Sequence, residues 1–257
     1  KFKDIENSEI IVWTTTPWTI PANKALAFND NLNYLLVKIN DEGDFKNKKI
    51  VIAAELLESV IRDCSIKNFE KLKKFKGTEL RDTFCRHPFF DLGYDYKIPM
   101  LAARFVTTEQ GTGIVHCAPS HGPDDFNLCL SNGIKAIETV DGDGKYTNNV
   151  LLFEGLHIFK SNKIVIEKLK EQKKLLFNGE LTHSYPHSWR SKAPLVHRAT
   201  PQWFISMESH ELRSKAIKAI DQTKFYPSKG KERLKSMIET RPDWCVSRQR
   251  VWGVPLP

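Results

Sequence analysis

Several signatures that would define a metal protein, a disulfide scaffold or a membrane protein are missing from this sequence. No apolar run approaches the roughly 18 residues of a membrane-spanning helix, and no signal peptide opens the chain. The cysteines are odd in number and widely spaced, and no C-x-x-C pair suggests a zinc knuckle or a disulfide framework. We therefore expect reduced thiols in a cytoplasmic protein without a membrane partner. The cysteines are Cys64, Cys85, Cys117, Cys129 and Cys245.

Common catalytic and calcium-binding motifs are missing as well. There is no H-E-x-x-H helix and no G-x-S-x-G turn. The run from Asp141 to Gly144 resembles the start of a calcium loop, but Lys145, Tyr146 and Leu152 occupy positions that need a ligand, a glycine and a glutamate. We predict a hairpin turn there.

The composition is that of a soluble globular protein, with 257 residues, 40% hydrophobic and 27% charged. This length is enough for one domain and an appendage. The net charge of +8 is compatible with a polyanionic partner, but it is spread over many lysines and is weak evidence for nucleic acid. An initial Lys and a final Pro-Leu-Pro suggest a fragment of a longer protein.

Strand and helix patterns alternate irregularly, which predicts an α+β or β-barrel-like domain without internal repeats. We expect Leu101 to Thr107 and Gly113 to Cys117 to pair with each other through the glycine-containing loop between them. Near residue 183 the sequence becomes rich in Pro, Trp and Arg, so we predict a domain over 1–182 and an extended return segment over 183–257. Further strands are expected at 10–13, 34–39, 49–53 and 69–77, and helices at 54–62, 162–173 and about 208–220.

The least ordinary passage is Trp13-Thr14-Thr15-Thr16-Pro17-Trp18-Thr19-Ile20-Pro21-Ala22-Asn23. The apolar run before it predicts a buried strand. The two prolines then fix a stiff bend that displays hydroxyl groups. Such a bend suits the binding of a small polar ligand, although threonines and aromatics are also common in half-buried strands.

A second unusual passage runs from Gly111 to Phe126 and predicts a strand, a turn and the start of a helix. Pro123 suits the first helical position, which places Asp124 and Asp125 in the first turn. There the helix dipole stabilises a carboxylate by about 0.3–1 kcal/mol, which explains one aspartate but not two. We expect the helix to bury Phe126, Cys129 and Leu130 on one face.

Three kinds of site could use these residues. A zinc site from His116, His121 and an aspartate lacks the usual helical or cysteine signature. A triad of Ser120, His121 and Asp124 is disfavoured because residues so close in sequence rarely reach triad geometry. The third is a metal-free pocket in which a carboxylate binds an ammonium group while hydroxyls and amides surround a carbonyl, and it uses both passages.

The two passages together resemble the editing domain of isoleucyl-tRNA synthetase, a class I aminoacyl-tRNA synthetase, in its bacterial or organellar form. Segments 182–207 and 244–255 resemble the chain of that enzyme as it returns toward its catalytic domain. The related valyl and leucyl enzymes typically carry arginine where this sequence has Thr16. The resemblance implies a β-barrel-like editing domain that hydrolyses mischarged Val-tRNA(Ile), and a substrate of valyl-tRNA(Ile) or valyl-adenylate.

The resemblance also implies residue roles. Asp125 would pair with the substrate ammonium, and His116 would limit side-chain size, although a histidine there could simply be a core residue. Catalytic hydrogen bonds would come from Thr14, Thr15 and Thr16 unless these threonines are purely structural. Trp18 and Asn23 would shape the substrate-binding wall, and no metal is implied.

The sequence lacks the histidine–x–glycine–histidine and lysine–methionine–serine–lysine signatures that bind ATP in this class of synthetase. We therefore expect no amino-acid activation by this chain, and no cofactor for editing, although a full-length enzyme would use ATP and Mg. The implied partners are the acceptor end of tRNA(Ile) and the remainder of the synthetase. The alternative is a non-catalytic module that docks the tRNA acceptor end.

Overall fold

The computed structural model describes residues 5–182 and 184–248 and divides the chain into two compact units, Lys1–Ala199 and Thr200–Pro257. The predicted boundary at 182/183 stays a proposal. The strands are β1 (Glu9–Ile10), β2 (Ala25–Phe28), β3 (Asn33–Ile39), β4 (Lys49–Ala53), β5 (Phe69–Lys76), β6 (Phe84–Arg86), β7 (Lys97–Ala102), β8 (Val115–Cys117), β9 (Phe204–Ile205) and β10 (Trp244–Cys245). The α-helices are α1 (Leu57–Asp63), α2 (Pro123–Ser131), α3 (Ile158–Glu171), α4 (Leu212–Gln222) and α5 (Lys229–Glu239).

The first unit contains two four-stranded sheets. The first has the order β1-β4-β3-β5, and the second has the order β6-β7-β2-β8. The α+β class is therefore confirmed, and within the described ranges the strands form open sheets and not a closed barrel. The expected strands at 34–39 and 49–53 form the centre of the first sheet as β3 and β4, because their apolar runs are buried on both faces.

The second sheet corrects one prediction. Residues 101–107 and 113–117 do not pair with each other, because β2 lies between β7 and β8 and pairs with both. The short apolar run of β2 is buried throughout. It follows the proline-rich bend directly, so the chain leaves that bend in the middle of the sheet. This connection brings the bend next to β8.

Two smaller predictions are also wrong. The strand expected at 10–13 covers only Glu9–Ile10, and Trp13 is 45% exposed. In α2, Cys129 is fully buried, but Phe126 and Leu130 are 40% and 54% exposed. The helix therefore rests on a narrower apolar stripe than its sequence suggested. The turn expected after Asp141 is confirmed, since Asp141 Oδ1 accepts hydrogen bonds from the backbone N–H groups of Asp143 and Lys145.

The second unit contains an antiparallel pair, β9 and β10, together with α4 and α5. Ile220 and Met207 are buried in it. Large aromatic side chains there are exposed, among them Trp203 at 74% and Tyr226 at 81%. The expected helix near 208–220 corresponds to α4. The predicted return-segment residues from 249 onward, and residue 183, lie outside the described residues.

In the described chain, no helix is both long enough and apolar enough to cross a membrane.

Candidate functional site

The bend predicted from the two prolines is a short 3-10 helix, Pro17–Ala22. We call residues 14–23, which include this helix, the threonine segment. Pro17 occupies the first helical turn, where its missing N–H costs nothing. The segment ends at Asn23, whose N–H donates to Ile20 O at 3.0 Å. The extended backbone at Asn23 then leads directly into β2.

The three threonines do not occupy equivalent positions. Thr14 and Thr15 line a cleft of about 330 Å³ together with Trp13, Gln110 and His116. This volume is within the range of small-molecule sites, roughly 300–1,000 Å³. Thr16 is not among the lining residues. Its N–H donates to Thr14 Oγ1 at 3.0 Å, and the two hydroxyl oxygens lie 3.2 Å apart, so Thr16 orients Thr14.

A wider depression of about 1780 Å³ shares Thr14, Thr15 and His116 with this cleft and is also lined by Asn23. His116 therefore lies where the threonine segment and β8 meet. It is 8% exposed, and its strand neighbour across the sheet is Leu26 of β2. The structure thus brings His116 together with Thr14, Thr15 and Asn23.

Both ring nitrogens of His116 have hydrogen-bond partners. Nε2 lies 2.8 Å from Thr19 Oγ1, and Nδ1 lies 2.5 Å from Asn23 Nδ2. The same Asn23 nitrogen donates to Ala25 O at 3.2 Å, which identifies it as the amino end of the amide. Nδ1 of His116 must therefore accept, and Nε2 carries the proton.

The hydrogen bonds continue in one direction through Thr19. Its hydroxyl accepts from His116 Nε2–H and donates to Thr16 O at 2.9 Å. The chain thus runs from Asn23 through His116 and Thr19 to Thr16. Burial, together with the smaller effect of the nearby charges of His87 and His121, lowers the pKa of His116 to about 3. The ring is neutral and immobilised, which suits a wall of the cleft and not a general base.

Asp125 lies in the first turn of α2, as predicted, but it is not among the residues that line either cleft. Its Oδ2 accepts a hydrogen bond of 2.8 Å from the backbone N–H of Ala118, which lies two residues after His116. Burial raises the pKa of Asp125, with the charge of Asp124 adding to the effect. A carboxylate has about four acceptor positions, so the bond to Ala118 leaves others for an ammonium group.

Trp18 is buried in an aromatic core and is also absent from the lining of both clefts. Its ring contacts the His121 ring edge-on at 4.7 Å between centroids. His121 in turn lies 2.8 Å from Thr139 Oγ1 and 3.0 Å from His197 O. Trp18 therefore anchors the threonine segment in the core, on the side away from the clefts. Asn23, in contrast, makes a direct hydrogen bond to His116.

Sequence reasoning missed Thr19 and Thr112. Thr19 carries the hydrogen-bond chain, and its place three residues after Thr16, one turn of a 3-10 helix, could have indicated this. Thr112 lines both clefts, and its hydroxyl donates to Ile11 O at 2.6 Å. No local motif marks Thr112 as different from other loop threonines.

The two buried histidines predict how stability depends on pH. Burial lowers the pKa of His87 to about 4 and that of His116 to about 3, whereas an unfolded histidine titrates near 6.5. Below pH 6.5 the unfolded chain binds more protons than the folded chain. The two histidines therefore contribute their full free energy of unfolding above pH 6.5, and this contribution falls as the pH drops toward their pKa values in the folded chain. The slope of the free energy of unfolding against pH approaches about 1.4 kcal/mol per pH unit for each histidine.

Urea unfolding between pH 7 and 5 should show this slope, and His116→Gln should reduce it. An unchanged slope in His116→Gln would contradict the assignment to His116.

Residues 21–257 match the family model for tRNA synthetases class I (I, L, M and V). This chain therefore belongs to the class I tRNA synthetase family.

Within the family, the chain is similar to isoleucine–tRNA ligases. It is 79% identical over 255 residues to the isoleucine–tRNA ligase of Pelagibacter ubique (strain HTCC1062), covering 99% of this chain and 28% of that protein. It is 47% identical over 247 residues to that of Francisella tularensis subsp. novicida (strain U112), covering 96% of this chain and 25% of that protein. The chain thus spans about a quarter of the length of these relatives. The resemblance inferred from the sequence is confirmed.

The fold is shared with a solved editing domain. The cytosolic leucyl-tRNA synthetase editing domain of P. knowlesi superposes with a TM-score of 0.50 at 13% identity, covering 65% of this chain and 83% of that chain. At this identity the match concerns the fold alone.

Proposed function

We propose that this chain is the editing region of an isoleucine–tRNA ligase and hydrolyses the ester of Val-tRNA(Ile), and that valyl-adenylate is a second substrate. The observation that carries the proposal is the neutral, doubly hydrogen-bonded His116 on the wall that Thr14 and Thr15 share. A wall fixed in this way can select by side-chain size.

A second pocket is needed because the synthetic site alone cannot distinguish isoleucine from valine strongly enough. One methylene separates isoleucine from valine, and its burial gives a synthetic site only about 1–3 kcal/mol of preference; discrimination by this enzyme family is itself a familiar illustration of that limit. A pocket that admits valine and excludes isoleucine multiplies the discrimination, because it destroys only the wrong product.

In this proposal each side chain has a defined task. Asp125 pairs with the substrate ammonium, a charge-assisted contact that recognises a free amino group. Hydroxyl and backbone groups of the threonine segment hold the ester and the terminal adenosine, and His116 stops a longer side chain. A water molecule attacks the ester carbonyl, with the neighbouring ribose hydroxyl assisting and donors stabilising the oxyanion. The reaction needs no covalent intermediate.

The remaining assignments follow from the same proposal. Editing uses no cofactor, whereas ATP and Mg serve the synthetic domain of the full-length enzyme. The partners are the acceptor end of tRNA(Ile) and the rest of the synthetase in cis, and the location is the cytoplasm.

The test is deacylation by the full-length synthetase without ATP, which leaves its synthetic site idle. We expect Val-tRNA(Ile) to lose its amino acid much faster than Ile-tRNA(Ile), and much faster than Val-tRNA(Ile) in buffer. Tight tRNA binding without deacylation would contradict the proposal and favour the non-catalytic docking module.

A further inference from the structure

The backbone of the threonine segment is held by side chains from four distant places in the first unit. Two of them hold Trp18, whose N–H donates to Asn162 Oδ1 at 3.1 Å and whose carbonyl accepts from Tyr146 OH at 2.5 Å. The other two hold the end of the segment. His87 Nε2 lies 3.0 Å from Ile20 O, and Tyr96 OH donates to Asn23 O at 2.9 Å.

The tautomer of His87 follows from its second contact. Phe89 N–H donates to His87 Nδ1 at 3.1 Å, so Nδ1 is the acceptor and Nε2–H donates to Ile20 O. The ring is 1% exposed and stacks on the Tyr94 ring at 4.4 Å between centroids with an angle of 15°. His87 is therefore a rigid donor to the backbone of the threonine segment.

Tyr96 acts on the residue that fixes His116. The backbone carbonyl of Asn23 accepts from Tyr96, while the side-chain amide of Asn23 donates to His116 Nδ1. His87 acts on the other side, since Ile20 follows Thr19, which accepts from His116 Nε2. Both hydrogen-bond partners of the His116 ring thus depend on a backbone that His87 and Tyr96 hold.

We propose that Tyr96 and His87 are positioning residues that set the size selectivity of the cleft by fixing Asn23 and Thr19, and through them the His116 ring. This inference rests on the proposed function. Without either hydrogen bond, the threonine segment can shift and the His116 ring can move with it. A ring excludes one additional methylene only while its neighbours hold it in a close-packed position. The expected defect is acceptance of isoleucine, with little loss of valine hydrolysis.

The chain offers a matched pair of tyrosines for the test. Tyr96→Phe removes the hydroxyl that binds Asn23 O, whereas Tyr94→Phe removes a hydroxyl that binds Leu151 O, outside the threonine segment. Both variants are made in the full-length synthetase, and kcat/KM for deacylation of Val-tRNA(Ile) and Ile-tRNA(Ile) is measured without ATP. A hydrogen bond of ordinary net strength corresponds to about a 5-fold change in rate.

We expect Tyr96→Phe to raise the Ile/Val ratio of kcat/KM about 5-fold and Tyr94→Phe to leave it within about 2-fold of wild type. His87→Phe, which keeps a ring against Tyr94, should raise the ratio in the same direction. Equal ratios in Tyr96→Phe, Tyr94→Phe and wild type would overturn the inference while leaving the proposed function intact. A wild-type enzyme that does not hydrolyse Val-tRNA(Ile) would instead overturn the proposed function, and this inference with it.

Discussion

Asp125→Asn is expected to reduce kcat/KM for hydrolysis of Val-tRNA(Ile) by roughly 30- to 1,000-fold. The physical reason is the loss of the negative charge that pairs with the substrate ammonium, since removing one member of a desolvated charge pair costs about 2–4 kcal/mol. Asparagine is chosen over alanine because its side-chain oxygen can still accept from Ala118 N–H. The measurement is single-turnover deacylation by the full-length synthetase.

Asp124 provides the control for this prediction. It occupies the same first turn of α2 but is exposed, so Asp124→Asn changes the charge near the helix terminus without altering the half-buried carboxylate of Asp125. We expect Asp124→Asn to change the rate less than about 3-fold. Equal rates for Asp125→Asn and wild type would show that Asp125 only braces the loop after β8.

Gly113→Ala is expected to lower the free energy of unfolding by about 2–4 kcal/mol, combining overpacking with a strained backbone. Gly113 has a φ of +75°, and a Cβ there would lie 2.3 Å from Ala53 Cβ in β4. The neighbouring contacts leave little room to adjust, because Tyr34 OH donates to Gly113 O at 2.8 Å and Ala53 N–H donates to Thr112 O at 2.8 Å. Urea unfolding of the 257-residue chain measures the loss.

A second glycine separates the two causes. Gly133 has a φ of +74°, but an added Cβ would meet nothing within 4 Å. Gly133→Ala should therefore cost only the left-handed backbone strain, about 1 kcal/mol. A loss at Gly113 no larger than that at Gly133 would contradict close packing between the 111–113 loop and β4.

The parts of the fold that were predictable are those in which local pattern and burial agree. The apolar runs of β3 and β4 and the lysine-rich exposed strand β5 were predicted close to their observed bounds. Pro123 correctly located the start of α2. By contrast, β2 has only four residues, and its sequence gives no sign that it separates β7 from β8. Pairing across the sheet is a long-range property, so the predicted pairing of 101–107 with 113–117 was wrong.

The candidate site divides in the same way. The motif residues Thr14, Thr15 and His116 lie together because the bend leads into β2, which pairs with β8. His87 and Tyr96, which hold the bend, follow it by more than 60 positions and belong to no motif. Their roles depend on which backbone carbonyl each side chain reaches, and that is set by the three-dimensional fold and not by any local sequence pattern. The hydrogen bond from Ala118 N–H to the Asp125 carboxylate could not be predicted from the sequence either.

The hydrogen bonds around His116 also bear on how such a pocket can evolve. Every donor hydrogen from Asn23 through His116 and Thr19 has an acceptor, so replacing one member leaves a neighbour without a partner of the right polarity. Gradual enlargement by single substitutions would pass through mismatched intermediates. Because Asn23 and Thr19 each satisfy one nitrogen of the His116 ring, we expect these three positions to vary as a linked set.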